Sequence, residues 1–160
     1  MMITERAIII PNYKTLLLSH IVLDYNGTLA KDGVLKEELK TILPELSKLY
    51  KVHVITADTF GSVHAQVKDF DVSVKVLTSD NHALEKEEYV RSLNAKNCAA
   101  VGNGNNDVLM IKTAELGIAL LGDEGCSAQV MAQSDLVCKS IEDALELFIH
   151  TKRLIATLRQ

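Results

Sequence analysis

Apolar residues in this chain fall into short unbroken runs separated by segments in which they recur every three or four positions. The runs are Ile21 to Tyr25, Val52 to Thr56, Val72 to Leu77, Cys98 to Gly102, Gly117 to Leu121 and Asp135 to Cys138. Mostly continuous rather than alternating hydrophobicity suits strands buried on both faces. The intervening segments with helical spacing are Lys36 to Tyr50, Gly61 to Phe70, Glu85 to Leu93, Asn106 to Glu115, Ser127 to Gln133 and Ile141 to Leu158. In the first of these, Leu39, Leu43, Leu46 and Leu49 share one helix face.

Two further runs, Ala7 to Ile10 and Thr15 to Leu18, flank the turn-rich Pro11-Asn12-Tyr13-Lys14 and predict an N-terminal β-hairpin. The strand-helix alternation after it predicts an α/β fold, a doubly wound parallel sheet covered by helices on both sides in three layers. Residues 1–160 read as one domain: a hairpin over 1–19, a core over 20–140 and a C-terminal helix and tail over 141–160.

With 160 residues and 48% apolar side chains, the chain is long enough to bury a core without disulfide staples. Its 17 basic and 21 acidic residues leave a net charge of −4, against an extended nucleic-acid footprint, which needs a clustered basic face. No apolar run reaches membrane-spanning length and charges interrupt the first six residues, so a cytoplasmic protein without membrane partners is expected. Cys98, Cys126 and Cys138 lack zinc-ligand spacing and are expected as buried thiols; the five histidines likewise show no ligand spacing.

Doubly wound sheets carry their sites beyond the carboxyl ends of the strands. There the first central strand runs into Asp24-Tyr25-Asn26-Gly27-Thr28-Leu29, a carboxylate followed by a turn whose backbone can approach a phosphate. The second strand ends in Thr56-Ala57-Asp58. Lys86 precedes the fourth, which ends in Gly102-Asn103-Gly104-Asn105-Asn106-Asp107, a glycine-rich loop entering a helix. Lys86 sits in Glu85-Lys86-Glu87-Glu88, which also fits a solvated face, and Lys75 or Lys96 could serve instead.

This ordered set resembles the four motifs of the haloacid dehalogenase superfamily of phosphohydrolases. Thr56 to Asp58, Gly102 to Ala119 and Ser134 to Val137 resemble the phosphorylation domain of P-type ATPases, and the whole chain resembles their small soluble relatives. The resemblance implies a phosphatase in which Asp24 is a nucleophile forming an aspartyl-phosphate. Thr56 would bind phosphoryl oxygens, Lys86 would neutralise charge, and Asp24, Asp107 and the carbonyl of Asn26 would hold Mg²⁺. Gly27, Thr28, Ala57, Asp58, Gly102, Asn103, Gly104 and Asn106 would line the phosphate loops. Attack of one anion on another calls for such cations, and all-oxygen ligands suit Mg²⁺.

Two residues depart from the pattern. Asn26 replaces the aspartate that protonates the leaving group in most superfamily phosphatases, and an amide cannot do so; general acid-base catalysis contributes roughly 10² to 10⁴ in rate. Asn103 replaces the first aspartate of the glycine-rich motif, which predicts weaker Mg²⁺ binding. Asp58 is a candidate replacement acid. Only 27 residues separate Thr28 from Thr56 and 29 separate Thr56 from Lys86, too few for a cap domain. The site is therefore expected to be open, and the expected substrate is a small phosphomonoester or activated phosphate. The alternatives are a phosphotransferase or nucleotide hydrolase with a long-lived phosphoenzyme, and a non-catalytic phosphate-binding module. Uncapped members of the superfamily either take a large substrate or close the site by oligomerising, which makes a homo-oligomer an expectation of the resemblance.

Overall fold

The computed structural model describes residues 6–160. Strands β1 (Arg6–Ile10) and β2 (Lys14–Leu18) form the antiparallel hairpin, with Asn12 at φ 58° in its turn. Alternation decides its faces. Ile8, Ile10, Leu16 and Leu18 point into the core, and Ile9 and Leu17 point to solvent.

The central sheet holds β3 (His20–Asp24), β6 (Lys51–Thr56), β7 (Val72–Val76), β8 (Cys98–Gly102), β9 (Leu116–Leu120) and β10 (Leu136–Cys138), all parallel. Their order is β10-β9-β8-β3-β6-β7, so the chain winds outward from β3 in one direction, returns to β8 and winds outward in the other. Every residue of β8 and β9 is buried, as their unbroken hydrophobicity requires.

Helices α1 (Leu39–Leu49), α6 (Ile141–Ile149) and α7 (Thr151–Leu158) cover one face together with the hairpin and the short α2 (Ser62–Val67). Helices α3 (His82–Ser92), α4 (Val108–Thr113) and α5 (Ala128–Gln133) cover the other. The three expected layers are present. Leu39, Leu43 and Leu46 of α1 are completely buried. At about 1.5 to 3 kcal/mol per buried leucine, that stripe offsets Pro44 within the helix, which costs about 3 kcal/mol.

Two segments differ from their sequence reading. The helix expected from Lys36 begins only at Leu39, because the preceding residues form a second small hairpin, β4 (Ala30–Lys31) and β5 (Val34–Leu35), around Asp32 at φ 52° and Gly33 at φ 84°. Asp-Gly is a strong turn signal that two-residue strands leave without hydrophobic periodicity. The helix expected over Ile141 to Leu158 is two, broken at His150 with φ −105° and ψ 72°. Apolar spacing resumes past the break, which hides it. No described helix is long and apolar enough to cross a membrane.

Candidate active site

Adjacent strands β8, β3 and β6 bring three of the four sequence motifs to one place, where the winding direction reverses. Asp24 ends β3, and its partner in register on β6 is Ile55, so Thr56 lies one step further out. Gly102 ends β8, whose pairing with β3 carries the glycine-rich loop alongside.

The turn after Asp24 is held by Tyr25. Its N–H donates to the Ile55 carbonyl, its own carbonyl accepts from Thr28, Leu29 and Ala30, and its hydroxyl donates to the Gly33 carbonyl. Gly27 takes φ 77°, a conformation open to glycine at little cost. Thr28 is completely buried and its Oγ1 has no hydrogen-bond partner among the described residues. Asn26 is exposed.

Lys86 comes in from α3. Asn81 caps that helix by accepting from Leu84 N–H, and Glu85 accepts from Thr78 and Ser79 N–H, which fixes where the helix starts. Lys86 is 2% exposed, and its ammonium donates to Asp24 Oδ1 at 3.1 Å, Asp107 Oδ1 at 2.8 Å and Asn106 Oδ1 at 3.3 Å. Its three N–H donors match three acceptors. The two other lysines considered lie elsewhere: Lys75 pairs with Glu85, and Lys96 follows Asn94 in the connection before β8.

Asp107 is fully buried, and its Oδ2 accepts from the N–H groups of Asn103 and Gly104. Gly102 makes that fold possible, because a Cβ there would stand 2.5 Å from Asp107 Cγ. Burial raises the Asp24 pKa to about 7, with the Asp107 charge adding to the effect and Lys86 opposing it. Burial alone would lower Lys86, but Asp24 and Asp107 outweigh it and its pKa is raised, so the ammonium stays charged. With both carboxyl groups ionised, one ammonium faces two negative charges, a surplus that a cation would offset.

That surplus, with oxygen-only donors, fits a hard divalent cation. Among the described residues no cluster of three His, Cys, Asp or Glu side chains stands ready to hold a metal. Two carboxylates, a backbone carbonyl, waters and a substrate phosphate are the set Mg²⁺ takes, since it retains several waters.

Thr56 is buried, and its Oγ1 accepts from Asp58 N–H, leaving its own proton to direct elsewhere. Ala57 is exposed beside it. The Asp58 carboxylate is not aimed at Asp24. It accepts from Phe60 N–H, Ser62 Oγ–H and Val63 N–H at the start of α2, and these bonds, that from Ser62 foremost, lower its pKa to about 2. A carboxyl group so committed is a poor proton donor, which counts against the sequence expectation for Asp58.

Sequence reasoning missed Glu124, in the loop after β9. A Cβ on Gly27 would stand 2.5 Å from Glu124 Oε2 and 3.0 Å from Asn103 Nδ2, so both side chains fill the space that glycine leaves. Gly122-Asp123-Glu124-Gly125 reads as a turn, and its register against the turn after Asp24 has no sequence signal. The cysteines also differ in part: Cys98 and Cys138 are buried, Cys126 only half so.

No family model matches the chain. Among curated proteins, an uncharacterised protein of Methanocaldococcus jannaschii is 47% identical over 73 residues, 46% of this chain and 78% of that one. A probable copper-exporting P-type ATPase of Archaeoglobus fulgidus is 28% identical over 139 residues, 84% of this chain but only 16% of the ATPase's length. Among solved structures, the 3-deoxy-D-manno-octulosonate 8-phosphate phosphatase of Moraxella catarrhalis, in complex with magnesium, phosphate and KDO, superposes with a TM-score of 0.70 at 18% identity, covering 89% of this chain and 94% of that chain. The cobalt-bound deoxy-D-mannose-octulosonate 8-phosphate phosphatase of Haemophilus influenzae gives 0.70 at 11% identity, covering 85% of this chain and 90% of that chain. The chain thus belongs to one family with the Methanocaldococcus protein and has the fold of the haloacid dehalogenase superfamily.

Proposed function

We propose that this protein is a Mg²⁺-dependent phosphohydrolase that works through an aspartyl-phosphate on Asp24. The observation that carries this reading is the buried Lys86 ammonium bridging Asp24 and Asp107 at the point where the sheet winding reverses. Asp24, Asp107 and the Asn26 carbonyl would hold the Mg²⁺, whose charge would offset repulsion between carboxylate and phosphate.

Lys86 keeps Asp24 oriented and shares the charge of the incoming phosphoryl group. The Thr56 hydroxyl and the backbone N–H groups of the nucleophile turn bind the phosphoryl oxygens. Asp24 attacks phosphorus, the bond to the leaving oxygen breaks, and a water molecule later returns Asp24 as carboxylate and releases phosphate.

Asn26 offers no proton to the leaving oxygen, and Asp58 is engaged at α2. Substrates whose leaving groups depart as anions are therefore favoured, and the phosphoenzyme persists because its attacking water lacks a strong base. Acetyl phosphate should be turned over faster than p-nitrophenyl phosphate, and both far faster than an alkyl phosphate.

The test is mass spectrometry after incubation with acetyl phosphate and Mg²⁺. A single phosphoryl adduct on Asp24, absent in Asp24→Asn, is expected. Lack of any adduct together with lack of turnover would leave the fold as a phosphate-binding module.

A further inference from the structure

The loop between β9 and α5 is fastened across the candidate site by Asn103. The Asn103 side-chain amide donates to the Gly125 carbonyl at 3.1 Å, and the Asn103 carbonyl accepts from Ser127 N–H at 2.7 Å. Gly125 N–H donates back to the Gly122 carbonyl and closes the turn. A carboxylate at position 103 could not make the first of these bonds, because it has no proton to donate to a carbonyl. Asparagine there has a mechanical use that aspartate lacks.

The turn so held presses on the nucleophile loop at two points. A Cβ on Gly122 would stand 3.1 Å from the Gly27 carbonyl, and Glu124 Oε2 fills the space beside Gly27. The neighbouring Asp123 is paired with Lys36 at 2.8 Å. Glu124 is exposed and forms no ion pair among the described residues, so it is the free charge of this loop.

The geometry points to Glu124 as a specificity-determining residue, with Asn103 as the positioning residue that holds its loop: a negative charge on the rim selects phosphate compounds without a second anionic group beside the phosphate. This rests on the phosphohydrolase reading and names its substrate class. Two unit charges about 7 Å apart in water-like surroundings alter an equilibrium constant about threefold, and more where solvent is excluded.

Two ligands of similar size separate the effect. Ethyl phosphate carries no further charge, whereas 2-phosphoglycolate adds a carboxylate. Their dissociation constants are measured by calorimetry with Mg²⁺ present. Wild type should favour ethyl phosphate, and Glu124→Gln should shift the ratio about threefold toward phosphoglycolate. Asn103→Ala should shift it the same way, and the double variant should add nothing further, since both act through one carboxylate.

A ratio unchanged within error in Glu124→Gln, with both ligands still bound, overturns the role of Glu124 alone. So does a loss of Mg²⁺ affinity in that variant without any change in the ratio. Failure of wild type to bind either ligand overturns the phosphohydrolase reading, and this one with it.

Discussion

Replacing Asp24 by asparagine should make the metal-free protein more stable, and more so as the pH rises. The unfolded chain releases the Asp24 proton near pH 3.8, whereas the folded chain keeps it until about pH 7. Between those values the folded state binds more protons, so its stability falls as the pH climbs through this window. Each unit of displacement corresponds to about 1.4 kcal/mol, which puts the full penalty near 4 kcal/mol by pH 8. Partial solvent access to the Asp24 side chain, 13% exposed, brings the expected figure to about 2 to 4 kcal/mol. Asparagine keeps an oxygen for Lys86 without the charge. In the presence of a chelator, Asp24→Asn and wild type should be about equally stable at pH 4 and should diverge to the full gap at pH 8. Urea unfolding followed by far-ultraviolet circular dichroism measures this, the chain having no tryptophan to report by fluorescence. Adding millimolar Mg²⁺ should narrow the gap, because the cation offsets the same charge. The reasoning is refuted by a gap that does not change with pH, or by a wild type that is the more stable of the two at pH 8.

Lys86→Met strips the ammonium from two buried carboxylates and should cost about 3 to 5 kcal/mol in the same unfolding assay at pH 8, with recovery when Asp24→Asn is combined with it. Gly102→Ala should displace the Asp107 carboxylate, cost about 1 to 3 kcal/mol by overpacking and abolish Mg²⁺ binding by calorimetry. His53 is held neutral, its pKa lowered to about 4 by burial, with His20 and Lys51 adding to it. Stability should therefore fall by about 1 to 2 kcal/mol as the pH drops from 6.5 to 4, and His53→Gln should flatten that limb of the curve. Burial pushes the Cys98 thiol up to about 12 and that of Cys138 up to about 11, so a thiol reagent on the native protein should modify half-buried Cys126 first, as peptide mapping would show.

Hydrophobic patterning located all six central strands, most plainly β8 and β9, which are buried throughout and have no polar positions to blur them. It was less informative where the determinant is a turn. The Asp32-Gly33 hairpin and the break at His150 are set by one or two dihedral angles, which leave no trace in apolar spacing. As candidates for the site, Asp24, Thr56 and Asp107 are legible because each sits at a fixed offset from a strand end or a motif glycine. Choosing Lys86 over Lys75 required the direction in which α3 faces, and only the fold supplies it. Asp58 looked available in sequence because the hydrogen bonds that occupy it come mostly from backbone N–H groups, which every residue type there would have offered. Glu124 had no signal at all, since its place beside Gly27 depends on the packing of two loops 97 positions apart in the chain.

The ammonium of Lys86 has a full complement of acceptors, and on the proposed function this sets how a phosphate can arrive. A group with three N–H bonds already directed at three oxygens has none spare, so a phosphoryl oxygen can join it only by exchange. The contact to Asn106, at 3.3 Å, is the longest of the three and involves the one uncharged acceptor. It is the bond to be given up. On the proposed function, phosphate capture at Asp24 would release the Asn106 side chain at the head of α4, and occupancy of Asp24 would be transmitted to the glycine-rich loop as a change of partner rather than as an added contact.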